Sequence, residues 1–303
     1  ALHEAAVELA LARLAGRTDA HRAGGRAERQ LELLGVRVSP SGPAGILRQI
    51  AAVRDVPLAI ETLGGFRVFR SGSLVPATTW QSQKARDLLK ILLARRGAAT
   101  PRDVLMEALW PGEERSRLAN RLSVALSTAR SVLEPERTGE ESQVLWADKR
   151  AVGLDLESVV VDVEEFLAEG TEGLELRAAG SAGALERLEH AVALYRGDFL
   201  EGDAYEDWAA PLREEARALY AEVTHALAED ASAGDQHELA ARYYLRILGR
   251  DAHDEAAHLG LVASLAGAGR HGEARRRYGV YCRRMEEIGV EAAPFPARPP
   301  AAP

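Results

Sequence analysis

Between Leu58 and Leu156 the hydrophobic period of the sequence changes twice, and this double change leaves few folds open to the chain. Residues 58–63 and 66–70 alternate as strands around Gly64-Gly65, and Ser71-Gly72-Ser73 turns the chain into Leu74-Val75-Pro76. The period then becomes helical. Ala85, Leu88, Leu89, Leu92 and Leu93 form one apolar stripe, which Gly97 closes. Thr100-Pro101-Arg102-Asp103 reads as a helix start with a capping threonine and an N1 proline. That helix buries Leu105, Ala108 and Leu109 and stops at Trp110-Pro111. A third helix begins near Ser116, carries Leu118, Leu122, Ala125, Leu126, Ala129 and Leu133 on one face, and ends at Pro135. Period two returns in residues 143–147 and 151–156, which flank the polar turn Asp148-Lys149-Arg150. Strands, three helices and a hairpin in this order are the plan of a winged helix-turn-helix, whose third helix enters the major groove of DNA.

From residue 162 onward the pattern is helical throughout, and it repeats. Gly234-Asp235-Gln236-His237-Glu238-Leu239-Ala240-Ala241-Arg242-Tyr243 resembles Gly269-Arg270-His271-Gly272-Glu273-Ala274-Arg275-Arg276-Arg277-Tyr278 at an offset of 35. A period near 34 is that of tetratricopeptide-like helix pairs. The expected fold class is therefore α with a small β part: a winged helix-turn-helix followed by an all-α, tetratricopeptide-like helical-repeat domain. Residues 58–161 form the first domain and 162–291 the second. Residues 1–57 read as the helical tail of an upstream domain plus the linker Ser39-Pro40-Ser41-Gly42-Pro43, and 292–303 as a disordered tail. The chain opens on Ala1 and not Met, which reads as a cut from a longer protein.

The net charge of −8 argues against a nucleic-acid partner until its distribution is followed. Residues 80–130 hold 10 basic and 5 acidic side chains, while 162–291 hold 14 basic and 27 acidic. Only the first stretch suits a phosphate backbone.

Catalytic readings find no support, and no enzyme activity, cofactor or metal is expected. The lysines are Lys84, Lys90 and Lys149, none of them in a Gly-x4-Gly-Lys phosphate loop. His253 and His258 are five apart, on different helix faces, where a zinc helix needs four. Cys282 is the lone cysteine, so no disulfide forms within the chain; it reads as a small buried hydrophobe in a reducing, cytoplasmic setting. The acids of Gly202-Asp203-Ala204-Tyr205-Glu206-Asp207-Trp208 read as caps of the helix that follows. No run is long and apolar enough to span a membrane.

On a helical wheel the face opposite the stripe of the third helix carries Asn120, Ser123, Val124 and Ser127, the expected base contacts, with Ser131 beyond them. Asn120 suits adenine, and Val124 suits a thymine methyl; contact with the wing or a second protomer is the other reading of Val124, and a plain solvated face that of the serines. Arg117, Arg121, Thr128 and Arg130 flank this face as expected phosphate contacts, with an intramolecular role open to Arg130. Lys149 and Arg150 form the tip of the wing, aimed at the minor groove or its phosphates. The scattered Trp80, Trp110, Trp146 and Trp208 read as packing residues and not as a base-stacking platform.

Several segments taken together resemble a known family: Lys84-Ala85-Arg86-Asp87-Leu88-Leu89, Asp103-Val104-Leu105-Met106-Glu107-Ala108-Leu109-Trp110-Pro111, Asn120 through Arg130, Val161-Asp162-Val163-Glu164-Glu165-Phe166 and Tyr195-Arg196-Gly197-Asp198-Phe199-Leu200. In this order and spacing, residues 58–290 resemble the Streptomyces antibiotic regulatory protein (SARP) family, an OmpR-like winged helix fused to a bacterial transcriptional activator domain. The region before 58 departs from the usual two-domain member and points to an upstream helical-repeat or nucleotide-switching module. Ala129 stands where a larger apolar residue is common. The resemblance implies a transcriptional activator that binds double-stranded DNA, recruits RNA polymerase and occupies direct repeats as a homodimer. The other class of function is a helical-repeat interaction module whose winged helix binds protein.

Overall fold

A computed structural model describes residues 58–135, 142 and 144–296; the expected upstream tail and linker lie outside the described residues. Two compact units divide the chain, the first ending at Asp162 and the second starting at Val163.

In the first unit β1 (Leu58–Glu61) pairs antiparallel with β2 (Arg67–Arg70), and β2 with β3 (Ser73–Leu74). Helix α1 (Gln83–Ala94) begins at Ser82, whose hydroxyl accepts from the Ala85 N–H at 3.3 Å. It ends where Arg96 and Gly97 adopt positive φ of 51° and 73°. A Cβ on Gly97 would also come within 3.0 Å of the Leu154 carbonyl oxygen, so glycine meets both a backbone and a packing need. Then follow β4 (Thr100–Pro101), α2 (Arg102–Leu109), α3 (Arg115–Leu133), β5 (Leu145–Ala147), β6 (Ala151–Leu154) and β7 (Val160–Val161). The expected stripes of α1 and α3 are buried without exception: Ala85, Leu88, Leu89, Leu92 and Leu93 meet Leu105 and Leu109 of α2 and Leu118, Leu122, Ala125, Leu126, Ala129 and Leu133 of α3 in the core. Each buried leucine stabilises the unit by about 1.5–3 kcal/mol.

Two short strands depart from the sequence reading. Thr100 and Pro101 do not cap α2 through a side chain; they pair antiparallel with Val152 and Ala151, so the wing sheet has the order β4-β6-β5. Val160 and Val161 run parallel to Ala59 and Ile60, which completes the other sheet as β3-β2-β1-β7. Asp162 closes the unit. Its buried carboxylate accepts from the Thr62 N–H and hydroxyl, each at 2.7 Å, and from the Leu63 N–H at 3.1 Å.

The second unit is a run of helices: α4 (Asp162–Ala178, its first residue in the first unit), α5 (Ala184–Leu194), α6 (Ala210–Ala233), α7 (His237–Leu248), α8 (Glu255–Gly267) and α9 (His271–Glu287). From α5 onward each helix packs on the next. Helices α6–α7 and α8–α9 form the repeat, but their structural offset is 34 and not the 35 read from matching letters. The Gln236 N–H donates to the Ala231 carbonyl as the Arg270 N–H does to Leu265, both at 2.8 Å. Asp235 and Gly269 take the same left-handed conformation, with φ of 57° and 75°. Leu227 then matches Leu261, Ala240 matches Ala274, and Ile247 matches Tyr281, all buried. Gly260 lets α8 approach α7, since a Cβ there would sit 2.3 Å from the Tyr244 ring.

The acids expected to cap α6 do not do so with their side chains: the N-cap is Ala209. Buried Arg213 holds the preceding segment instead, donating to the carbonyls of Phe199 (3.0 Å), Ala204 (3.1 Å) and Asp203 (2.9 Å). Residues 292–296, the described start of the expected disordered tail, lie against α9: the Tyr278 hydroxyl donates to the Ala293 carbonyl at 2.9 Å, and Phe295 meets the Tyr278 ring edge-on. Cys282 is half-buried. Among the described residues no helix is long and apolar enough to cross a membrane.

Candidate nucleic-acid interface

With its apolar stripe in the core, α3 turns the opposite face outward. Asn120, Ser123, Val124, Ser127 and Ser131 are exposed there, and Arg117 beside them; Thr128 is half-buried. Val124 is 57% exposed, the apolar member of this otherwise polar set. The Ser131 hydroxyl donates back to the Ser127 carbonyl at 3.0 Å, and the Ser123 hydroxyl to Ala119 at 2.9 Å.

The wing follows from β5 and β6. Ala147 opposes Val152, leaving residues 148–151 to make the turn, which the Asp148 N–H closes on the Ala151 carbonyl at 3.0 Å. The Asp148 carboxylate accepts from the backbone N–H groups of Arg150 (2.6 Å) and Ala151 (2.7 Å), a local turn motif that fixes the loop. Those backbone bonds, the Ala151 N–H foremost, hold its pKa below the usual carboxylate range. Lys149 and Arg150 are left exposed at the tip.

Arg102 joins the two parts, and no local pattern in the sequence announced it. It is the first residue of α2. Its Nη1 donates to the Asp148 carbonyl at 3.0 Å, and its Nη2 to the Ser123 hydroxyl at 3.3 Å. Its own backbone N–H donates to the Arg150 carbonyl at 2.9 Å. One guanidinium therefore spans from the wing tip to the exposed face of α3. The signal was faint: Arg102 follows Pro101, and its bridge depends on the unexpected pairing of β4 with β6.

Two expected phosphate contacts are occupied elsewhere. Arg130 is half-buried and donates to the Leu145 carbonyl through Nε (3.0 Å) and Nη2 (2.8 Å), tying α3 to the first wing strand. Arg121 pairs with Glu113 and lies 4.6 Å from the centre of the Trp110 ring. Arg70 supports the far end of α3 through a 2.7 Å bond to the Val132 carbonyl. Trp80 and Trp110 are buried as expected. Trp146 is not: it is 37% exposed on the wing, its indole lying where a side chain on Gly153 would be. Trp208 is half-buried and donates to Glu206 at 2.8 Å.

The family described as "Bacterial transcriptional activator domain" matches residues 161–295. That match spans most of the second unit, which is therefore similar to a bacterial transcriptional activator domain. No curated protein matches the sequence. Among solved structures, the chain is similar to Mycobacterium tuberculosis EmbR, solved in complex with a low-affinity phosphopeptide. The TM-score is 0.64 at 21% identity over 79% of this chain, a likeness of fold, and the match spans 62% of that chain's length. The activator domain and this fold, with a winged helix in the first unit, are consistent with a transcriptional regulator of the SARP type.

Proposed function

We propose that the first unit binds duplex DNA in a sequence-specific manner and that the chain activates transcription from the bound site. The observation that carries this reading is the Arg102 bridge, which holds an exposed polar helix face and a basic hairpin tip together as one surface. Asn120, Val124 and Ser127 are assigned to base edges, with Ser123 oriented by Arg102. Arg117, Thr128, Lys149, Arg150 and Arg102 itself are assigned to phosphates. Arg121 and Arg130 become positioning residues, because Arg121 is already paired with the acid Glu113 over Trp110 and Arg130 is half-buried against the Leu145 carbonyl, whereas the hydrogen bonds of Arg102 are exposed and go to neutral oxygens.

The activator domain, with its surplus of acids, is assigned to protein: a second protomer on direct-repeat DNA, and RNA polymerase, in the cytoplasm. Binding should be strongly salt-dependent. Six neutralised phosphates give a log–log slope near about −5, so affinity falls by orders of magnitude from low to moderate salt. Titration of the whole chain against genomic promoter fragments and unrelated duplexes of equal length tests this. Equal affinity for all duplexes, or no salt dependence, counts against it. The exposure of Val124 favours a second reading, in which the same face docks a protein. Under that reading Val124→Ala would abolish partner capture and leave the affinity for every duplex unchanged.

A further inference from the structure

The second unit holds a cleft of about 540 Å³ among α5, α6 and α7, a size typical of small-molecule sites. Its lining is aromatic. Tyr195 and Tyr220 stack with ring centroids 4.3 Å apart and planes 21° apart, and Tyr243 adds a third buried ring. The rim is cationic. Arg246, in the last turn of α7, and Arg250, two residues past its end, are both exposed. The Arg246 guanidinium lies 5.6 Å from the centre of the Tyr243 ring, and that of Arg250 5.6 Å from the centre of the Tyr195 ring. Arg250 also donates to the Arg196 carbonyl at 3.3 Å.

Neither arginine forms an ion pair among the described residues; Asp198, which accepts from the Tyr195 hydroxyl at 2.9 Å and is close enough to Arg250 to feel its charge, is itself paired with Arg217. In the same unit Arg177, Arg187, Arg217, Arg270 and Arg284 each pair with acids, as a domain with 27 acidic against 14 basic residues readily allows. Two arginines beside aromatic rings at the mouth of a cleft, neither tied up in an ion pair, can receive a ligand anion. Glu189 is the acidic residue of the lining and leaves the cleft net positive. The two cations are four residues apart in the chain, each against a ring of the same cleft, which suits a compact ligand better than an extended acidic peptide.

We propose that this cleft binds a small planar aromatic anion, its ring against Tyr195, Tyr220 and Tyr243 and its carboxylate, or a group of like charge, bridged by Arg246 and Arg250. The proposal does not depend on DNA binding and is tested without DNA. Calorimetric titration of the whole chain with naphthoate, naphthamide and cyclohexanecarboxylate separates charge from ring. Naphthoate should bind, and each of the others at least about tenfold more weakly, since one lacks the charge-assisted hydrogen bonds and the other the ring face. The variant carrying Arg246→Ala and Arg250→Ala should lose about tenfold or more for naphthoate while its melting temperature falls by no more than a few degrees. The corresponding double lysine variant, which keeps charge without the planar fork, should fall between the two. No binding of naphthoate, equal binding of the amide, or unchanged affinity in the alanine variant would overturn the proposal. So would binding of an acidic, phenylalanine-containing peptide in place of naphthoate. If the alanine variant fails to fold, the ligand comparison on the native chain and the lysine variant still decide.

Discussion

Replacing Arg102 with alanine removes the link between the exposed face of α3 and the wing tip and leaves both elements standing, since Arg130 still ties α3 to the first wing strand. Two hydrogen bonds are lost, to the Asp148 carbonyl at 3.0 Å and the Ser123 hydroxyl at 3.3 Å. The backbone bond from Arg102 to Arg150 persists, because it needs no side chain. In this half-exposed setting the two lost bonds are worth about 1 kcal/mol together, a fall in melting temperature of a few degrees. The effect on DNA should be larger. One phosphate contact disappears, so the salt slope should shrink by about 0.9, and the wing tip loses its fixed position beside α3. Together these should weaken binding about tenfold for every duplex, specific and unspecific alike. Arg102→Lys should restore the slope but not the bridge, since a lysine has no fork to span both acceptors. The assay is fluorescence anisotropy at four salt concentrations, paired with thermal melting. Normal affinity and slope in a destabilised Arg102→Ala protein would make this residue purely structural. A change of preference at one base pair would make it a reader of bases. Either result refutes the assignment.

Arg130→Ala should destabilise the first unit by about 1–3 kcal/mol, because a half-buried cation donates twice to Leu145, and hydrogen exchange should then quicken in β5 before the core of α3; uniform quickening would show that the tie to the wing is not local. Gly260→Ala should lower the melting temperature even though alanine favours helix by about 1 kcal/mol, because the new Cβ would meet the Tyr244 ring at 2.3 Å; a stabilised variant would mean that α7 and α8 are free to separate. His225→Ala should cost stability in a pH-dependent way. The Asp254 bond at 2.9 Å raises the His225 pKa above 6.5, with burial opposing. Burial pushes Asp254 up, but the bonds from His225 and the Ala257 N–H outweigh it and leave Asp254 below 3.8. The histidine's contribution is full below its unfolded value and lost as pH rises through its folded one, whereas the aspartate's is lost as pH falls through its own. The destabilisation should therefore be greatest between about pH 4 and 6.5 and fade above it, and a growing effect at alkaline pH would contradict the pairing.

What the sequence disclosed followed its periodicities. Leu118, Leu122, Ala125, Leu126 and Ala129 recur at helical spacing, so their burial and the exposure of Asn120 and Val124 could be read directly. Strands of two residues have no period. Thr100-Pro101 was read as a cap, and Val160-Val161 carries no mark of its parallel partner Ala59-Ile60, because that pairing is fixed by folding across a hundred residues. The repeat was visible, but identical letters set its register one residue wrong; burial and the left-handed turn at Asp235 and Gly269 set it right. In the candidate interface the wheel gave directions and not partners. It set Arg121 and Arg130 on the flanks of α3, but Glu113, Trp110 and the Leu145 carbonyl that engage them lie outside that helix. Arg102 was missed for the same reason.

Selection of duplexes from a randomised pool by the whole chain, repeated with Asn120→Ala and with the variant carrying Lys149→Ala and Arg150→Ala, tests the DNA-reading surface most directly. The native chain should enrich one motif. Asn120→Ala should relax a single position of it by about 1–3 kcal/mol, and the wing variant should weaken all sequences evenly while keeping the motif. Failure to enrich any motif, or an unchanged motif in Asn120→Ala, would contradict the assignment of α3 to the bases.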